Sequence, residues 1–293
     1  MRKKDDILWK AILEDVFDDF LCFFHPDAAT IFDFEKGFEF LDKELEQVFP
    51  PEDDQYSPKV VDKLVKVFTH SGKEEWILAH VEVQGQYHED FSSRMFTYFY
   101  RILDKYQRPI VAYAIFTEAS TKARPDHFAI DFMGTSLRYK FNTYKIAAQD
   151  DEILLANKNP FALVVLTAKA AITGKEIKNS LERDELLLSL KLNLVKLLFA
   201  KQIAKEKIRG LMNFLKYYVR FENQEINIKF EQGINDLTES STMGIEEFLL
   251  DRAKKEGEKK SQYAIAREMK KEGLPIEQIA KFTKLSAEEI AKL

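Results

Sequence analysis

The chain has 293 residues, 45% of them hydrophobic, with 49 Asp and Glu against 44 Lys and Arg and a net charge of -5. That is enough apolar content to bury a core in one large or two modest domains. The net acidity excludes a protein that coats nucleic acid through bulk charge, so any DNA contact needs a local basic patch and should be salt-sensitive.

One cysteine, Cys22, excludes an internal disulfide and fits a reducing compartment. No apolar run reaches the roughly 18 residues of a membrane helix. Met1 to Asp6 lead into an amphipathic segment rather than a signal peptide, so a cytoplasmic protein with no membrane partner is expected. Ile7 to Phe24 repeats apolar residues at helical spacing (Leu8, Ile12, Val16, Phe20, Phe24), with Asp6, Glu14, Asp15, Asp18 and Asp19 around them. Cys22 sits in that apolar run and reads as a structural thiol. Pro26 ends the helix. Thr30 to Phe34 is the candidate first strand, and Gly37 to Phe49 the second helix, stopped by Pro50 and Pro51. A polar loop follows.

Val60 to Phe68 and Glu75 to Val83 read as strands joined by a turn over Thr69 to Lys73. Folding the chain about Gly72 puts Asp62 directly across from Glu82. Residues i and i+2 share a strand face, so Gln84 accompanies Glu82. Two carboxylates and an amide oxygen then converge at one end of a hairpin, the oxygen set that a hard cation such as magnesium takes. Spacing alone equally describes acids on a solvated sheet face. Glu82, however, stands between Val81 and Val83 in an apolar strand, where burying an acid is costly unless it is paired or binds metal. His80 shares the face of Glu82. The five histidines show no zinc spacing, and the glycines form no phosphate-cradling loop.

Glu89 to Tyr106 is the next helix, with a core stripe of Phe91, Met95, Tyr98 and Ile102. Arg94, Tyr98 and Arg101 are spaced to meet on one face. Arg94 is either a phosphate ligand or the partner of a buried acid. Pro109 to Phe116 is a continuous apolar run, expected as an interior parallel strand reached by a helical crossover. His127 to Met133 and Leu137 to Ile146 form a hairpin turned at Gly134-Thr135. Three amphipathic helices follow, Pro160 to Ile172, Asn179 to Phe199 and Gln202 to Arg220; the second carries a stripe of Leu186, Leu187, Leu190, Leu194, Leu197 and Leu198.

Thr238 to Gly244 reads as a linker. Beyond it, Glu246 to Lys260 reads as a helix, and three short helices over Tyr263 to Lys271, Ile276 to Phe282 and Ser286 to Leu293 resemble a helix-turn-helix, with Ser286 and Glu289 as a capping box. The tail's charges nearly balance, so it reads either as a DNA contact or as a small helical partner module.

Asp62 followed by Glu82-Val83-Gln84 resembles the PD-(D/E)XK nuclease signature in a Glu-x-Gln variant. The run His88 to Tyr98, the opening Asp5 to Lys10 with Phe20-Leu21, and the stretch Glu246 to Gly257 resemble the recombination-promoting nuclease/putative transposase (YhgA-like) family. The resemblance implies an α/β, restriction-endonuclease-like αβββαβ mixed sheet flanked by helices over residues 1–150. A helical extension would occupy 151–237, and a linker with a small helical tail 238–293. It further implies a Mg²⁺-dependent DNA endonuclease, with Mn²⁺ as substitute. Asp62 and Glu82 would be the metal ligands, Gln84 the third catalytic position, Arg94 a phosphate contact, and Asp6 or Glu14 an upstream acid. The family's third position is usually Lys, whereas Gln84 carries neither proton nor charge. A catalytically inactive DNA-binding or protein-interaction protein on the same scaffold is the alternative, and the chain is also open to homo-oligomer formation.

Overall fold

The computed structural model describes residues 2–43, 61–82, 90–108, 110–201, 203–239, 262–263, 265–271, 274–283, 285 and 290. The chain divides into two compact units, Met1–Asn235 and Asp236–Leu293.

The first unit is α/β. Its N-terminal apolar stripe forms two helices rather than one, α1 (Arg2–Asp15) and α2 (Phe17–Phe24), because Val16 leaves the helical region at φ -132° and ψ 35°. Trp9, Ile12, Leu13, Val16, Phe17, Phe20 and Leu21 are buried there. The expected first strand at Thr30 to Phe34 is reduced to a single antiparallel bridge from Phe32 to Thr69, between a short helix, α3 (Ala28–Ile31), and a 3-10 turn over Phe34–Lys36. The first strand is β1 (Glu39–Phe40), inside the segment expected as a helix. Gly37 at φ 72° turns the chain, and Glu39 and Phe40 then pair with Lys66 and Val65. Helical spacing at Phe38 and Leu41 was the misleading signal; pairing with a neighbouring strand overrode it. Asp42 and Lys43 are helical, as expected, and the rest of that segment, from residue 44, lies outside the described residues.

β2 (Val61–Phe68) and β3 (Glu74–Glu82) form the expected antiparallel hairpin. α4 (Phe91–Tyr106) then crosses over to β4 (Ile110–Phe116), which runs parallel to β3 as its apolar run anticipates. β5 (His127–Phe132) and β6 (Thr135–Lys140) make a separate two-stranded ribbon. Its turn is Met133-Gly134, one residue earlier than expected. Both sit at left-handed φ (50° and 82°), the backbone a two-residue hairpin turn requires. The expected second arm ends at Lys140, and β7 (Asn142–Lys145) leaves to pair parallel with β4. The main sheet order is therefore β1-β2-β3-β4-β7.

One sheet face packs on α4. Leu64, Trp76, Ala112, Ala114 and Phe116 meet Phe91, Met95, Tyr98 and Ile102 in a single apolar cluster. The opposite face meets the N-terminal helices, with Phe20 against Tyr113 (5.2 Å between ring centroids) and Phe161 (5.3 Å).

The helical extension runs α5 (Asp151–Ala156), α6 (Phe161–Glu176), α7 (Ser180–Ala200), α8 (Lys205–Tyr218) and α9 (Gln224–Glu239). α6 is not amphipathic at its start: Phe161 to Ala168 are all buried, as a helix packed on every side must be. In α7 the buried stripe is Leu187, Lys191, Leu194, Val195 and Leu198, while Leu186 faces solvent. α9 continues through Thr238 and Glu239, so those two residues are helix rather than linker.

In the second unit residues 265–271 and α10 (Ile276–Thr283) are helical, and Ala266, Ile279, Leu285 and Ile290 form a small core. Glu246 to Lys260 and the Ser286-Glu289 box lie outside the described residues. Among the described residues no helix is long and apolar enough to cross a membrane.

Candidate active site

The β2–β3 register sets Asp62 opposite His80, not Glu82. Phe68 pairs with Glu74, so the five-residue loop Thr69–Lys73 is centred on Ser71 and not on Gly72. The Thr69 amide donates to the Lys73 carbonyl at 2.8 Å to close it. A shift of two residues preserves the face, because the strand period is two. Positions 62, 80 and 82 thus share one face of the sheet. Asp62 and Glu82 stand as diagonal neighbours, for which Cα atoms are about 7–8 Å apart. The side chains at 62, 80 and 82, and Gln84 altogether, lie outside the described residues. In chemical type, two carboxylates at neighbouring backbone positions suit magnesium, which takes oxygen donors and keeps several waters. Among the described residues, no group of three or more His, Cys, Asp or Glu is placed to hold a metal.

The face carrying positions 62, 80 and 82 is the one α4 covers. In the sheet Glu82 pairs with Phe116, and the Phe116 ring meets Phe91 at 5.1 Å. The Arg94 guanidinium lies 5.5 Å from the Phe91 ring centroid, and the Arg94 amide donates to the Asp90 carbonyl at 2.9 Å. A short path therefore runs from the Glu82 backbone through Phe116 and Phe91 to Arg94, at the N-terminal end of a 16-residue helix, the end that favours anions.

Of the two upstream acids, Glu14 accepts from the Lys63 ammonium, which also donates to Asp42 at 2.7 Å. Lys63 is 1% exposed and belongs to the opposite face from positions 62, 80 and 82, so Glu14 is not gathered with them. Asp6 is half-buried on α1.

The sequence reading missed a cluster at the carboxyl end of the parallel strands. Glu118, two residues beyond β4, accepts from Arg124 Nε at 2.6 Å and from Lys145 at 2.6 Å. Lys145 lies in the same row as Phe116 and Glu82. Burial alone would raise the Glu118 pKa; hydrogen bonds from Arg124 and Lys145, with their charges, outweigh it and hold the carboxyl below the usual range. The available signal was positional, since ligand sites in open α/β sheets gather where parallel strands end. Cys22 is half-buried and free, and burial, with Asp18 and Asp19 nearby, pushes its thiol pKa up, away from nucleophilic character.

No family model matches the chain, and no curated protein or solved structure matches it either. The class defined by its own geometry is an α/β protein with a mixed five-stranded sheet flanked by helices.

Proposed function

We propose that the chain is a Mg²⁺-dependent DNA endonuclease on a PD-(D/E)XK scaffold, of the recombination-promoting nuclease/putative transposase kind. The observation that carries this reading is topological. Helix, short strand, antiparallel hairpin, crossover helix and parallel strand follow one another in the αβββαβ order, and the hairpin brings positions 62 and 82 to one sheet face.

In this reading Asp62 and Glu82 hold the cation. When bound, Mg²⁺, or Mn²⁺ in its place, supplies Lewis acidity and positive charge at the scissile phosphate. Gln84 orients the attacking water by hydrogen bonding. Its amide cannot take the proton, which must pass to solvent or to a phosphate oxygen. Arg94 binds a non-bridging phosphate oxygen.

The test is Mn²⁺ binding by calorimetry to the full chain beside Asp62→Ala and Glu82→Ala. Saturable binding lost in both folded variants is expected. Binding unchanged by either substitution contradicts the assignment. One observation favours a second reading, a catalytically inactive DNA-binding or protein-interaction protein: Gln84 stands where the signature usually has lysine. That protein would bind DNA without cutting it in either metal.

A further inference from the structure

A cavity of about 200 Å³ opens between the N-terminal helix and the helical extension, far in sequence from the hairpin. Its walls include apolar surface from Ala171, Leu187 and Phe221, and its charged lining is the cations Lys175, Arg183 and Arg220 with the carboxylates Asp5 and Glu222. Two of these cations are already matched. Arg220 donates through Nη2 to Asp5, a carboxylate only 5% exposed, and through Nε to the Tyr217 carbonyl at 2.9 Å. Arg183 reaches Glu222 at 2.9 Å and Asp184 at 3.2 Å.

Lys175 differs. Among the described residues its ammonium makes no hydrogen bond or ion pair. Its side chain is largely exposed, and the partial burial it has pushes its pKa down; Asp5 opposes that shift and Arg220 adds to it. Arg220 Nη1 is likewise uncommitted among the described residues. An ammonium and a guanidinium edge with donors to spare therefore sit over an apolar wall, in a space larger than the roughly 150 Å³ cavity that accepts a benzene ring.

We propose that this cavity binds a small organic oxyanion, a carboxylate or phosphate monoester with an apolar or aromatic body. The head lies on Lys175 and Arg220 Nη1, and the body lies against Leu187 and Phe221. Charge-assisted hydrogen bonds to an oxyanion give the site its selectivity. The apolar wall distinguishes an organic anion from an inorganic one. The site is independent of the nuclease reading and needs neither metal nor DNA.

The experiment is calorimetric titration of the metal-free 293-residue chain with benzoate, phenyl phosphate, inorganic phosphate and chloride at fixed pH and ionic strength. Two variants accompany it. Lys175→Gln removes the unmatched charge at an exposed position that makes no bond, and Ala171→Phe fills the cavity. Saturable binding of benzoate or phenyl phosphate is expected, at least tenfold tighter than inorganic phosphate. It should weaken at least tenfold in Lys175→Gln and vanish in Ala171→Phe, with circular dichroism unchanged. The preferred aromatic anion identifies the head group. Absence of saturable binding by both aromatic anions overturns the proposal, as does binding no tighter than that of inorganic phosphate or chloride. Binding unaffected by Lys175→Gln also overturns it, and that variant decides alone if Ala171→Phe does not fold.

Discussion

Lys191 is a charged residue buried inside the helical extension. It is 1% exposed, lies 4.3 Å from the Phe221 ring and 4.2 Å from Phe230, and donates to the carbonyls of Val219 at 2.8 Å and Lys216 at 3.2 Å. It thereby satisfies acceptors that the end of α8 leaves open. Burial pushes its pKa down to about 7, against an ordinary value of 10.5; Glu231 opposes the shift. The unfolded chain therefore holds the proton that the folded one sheds between pH 7 and about 10, and stability should rise with pH across that window. Compared with Lys191→Met, urea unfolding should show wild type gaining on the order of 2–3 kcal/mol between pH 6.5 and 9.5. A difference independent of pH would contradict the assignment. Glu118→Gln should cost about 1–2 kcal/mol in the same assay, because it removes the carboxylate that Arg124 and Lys145 share at a partly exposed site. Wild type should lose that advantage as pH falls through the depressed Glu118 pKa, since the contribution is present only while the carboxyl is ionised. Neither residue stood out in the sequence. The partners of Lys191 come from α8 and the chain beyond it, and no local pattern distinguishes it from Lys196, the exposed lysine of α7. Arg94 was legible as a residue of interest through its spacing, whereas its stacking on Phe91 depends on the strand beneath.

Among the elements, α1 and α8 approach closely at Gly210. A Cβ on Gly210 would stand 2.1 Å from Asp15 Oδ2 and 3.0 Å from Asp15 Cβ. Gly210→Ala should therefore separate the helices and lower stability by about 1–3 kcal/mol in thermal unfolding, despite alanine's better helix propensity. A gain in melting temperature would show that the crossing is looser. The elements most readable in the sequence were those with a strong period or a continuous apolar run: β2, β3, α4 and β4 all fall within a residue or two of expectation. Those that failed have non-local causes. β1 is two residues long and exists because β2 offers it a partner. The break at Val16 interrupts an apolar stripe whose spacing is uniform on both sides. Face assignment in the hairpin survived an error in register only because the error was two residues; one residue would have moved Asp62 to the side of Lys63 and Glu14.

Across the whole molecule, the order of helices and strands was legible because local periodicity and crossover connections carry it. The gathering of charges at the carboxyl end of β4 and β7 was not, since Glu118 and Arg124 share the loop after β4 while Lys145 ends β7, beyond the β5–β6 ribbon. The net charge of -5 gives a further expectation for a DNA-binding protein. Contact must run through a few local cations, so affinity should fall steeply as salt rises from 50 to 200 mM. Fluorescence anisotropy on a labelled duplex reads this directly, and salt-independent binding would contradict phosphate contact. The most direct measurement is cleavage of supercoiled and linear DNA by the purified protein in Mg²⁺, in Mn²⁺ and in chelator, beside Asp62→Ala and Glu82→Ala. We expect metal-dependent nicking that falls below about one hundredth in either folded variant. No cleavage in either metal, or cleavage that survives both substitutions, would contradict the nuclease and leave the hairpin acids as ordinary charges on a sheet face.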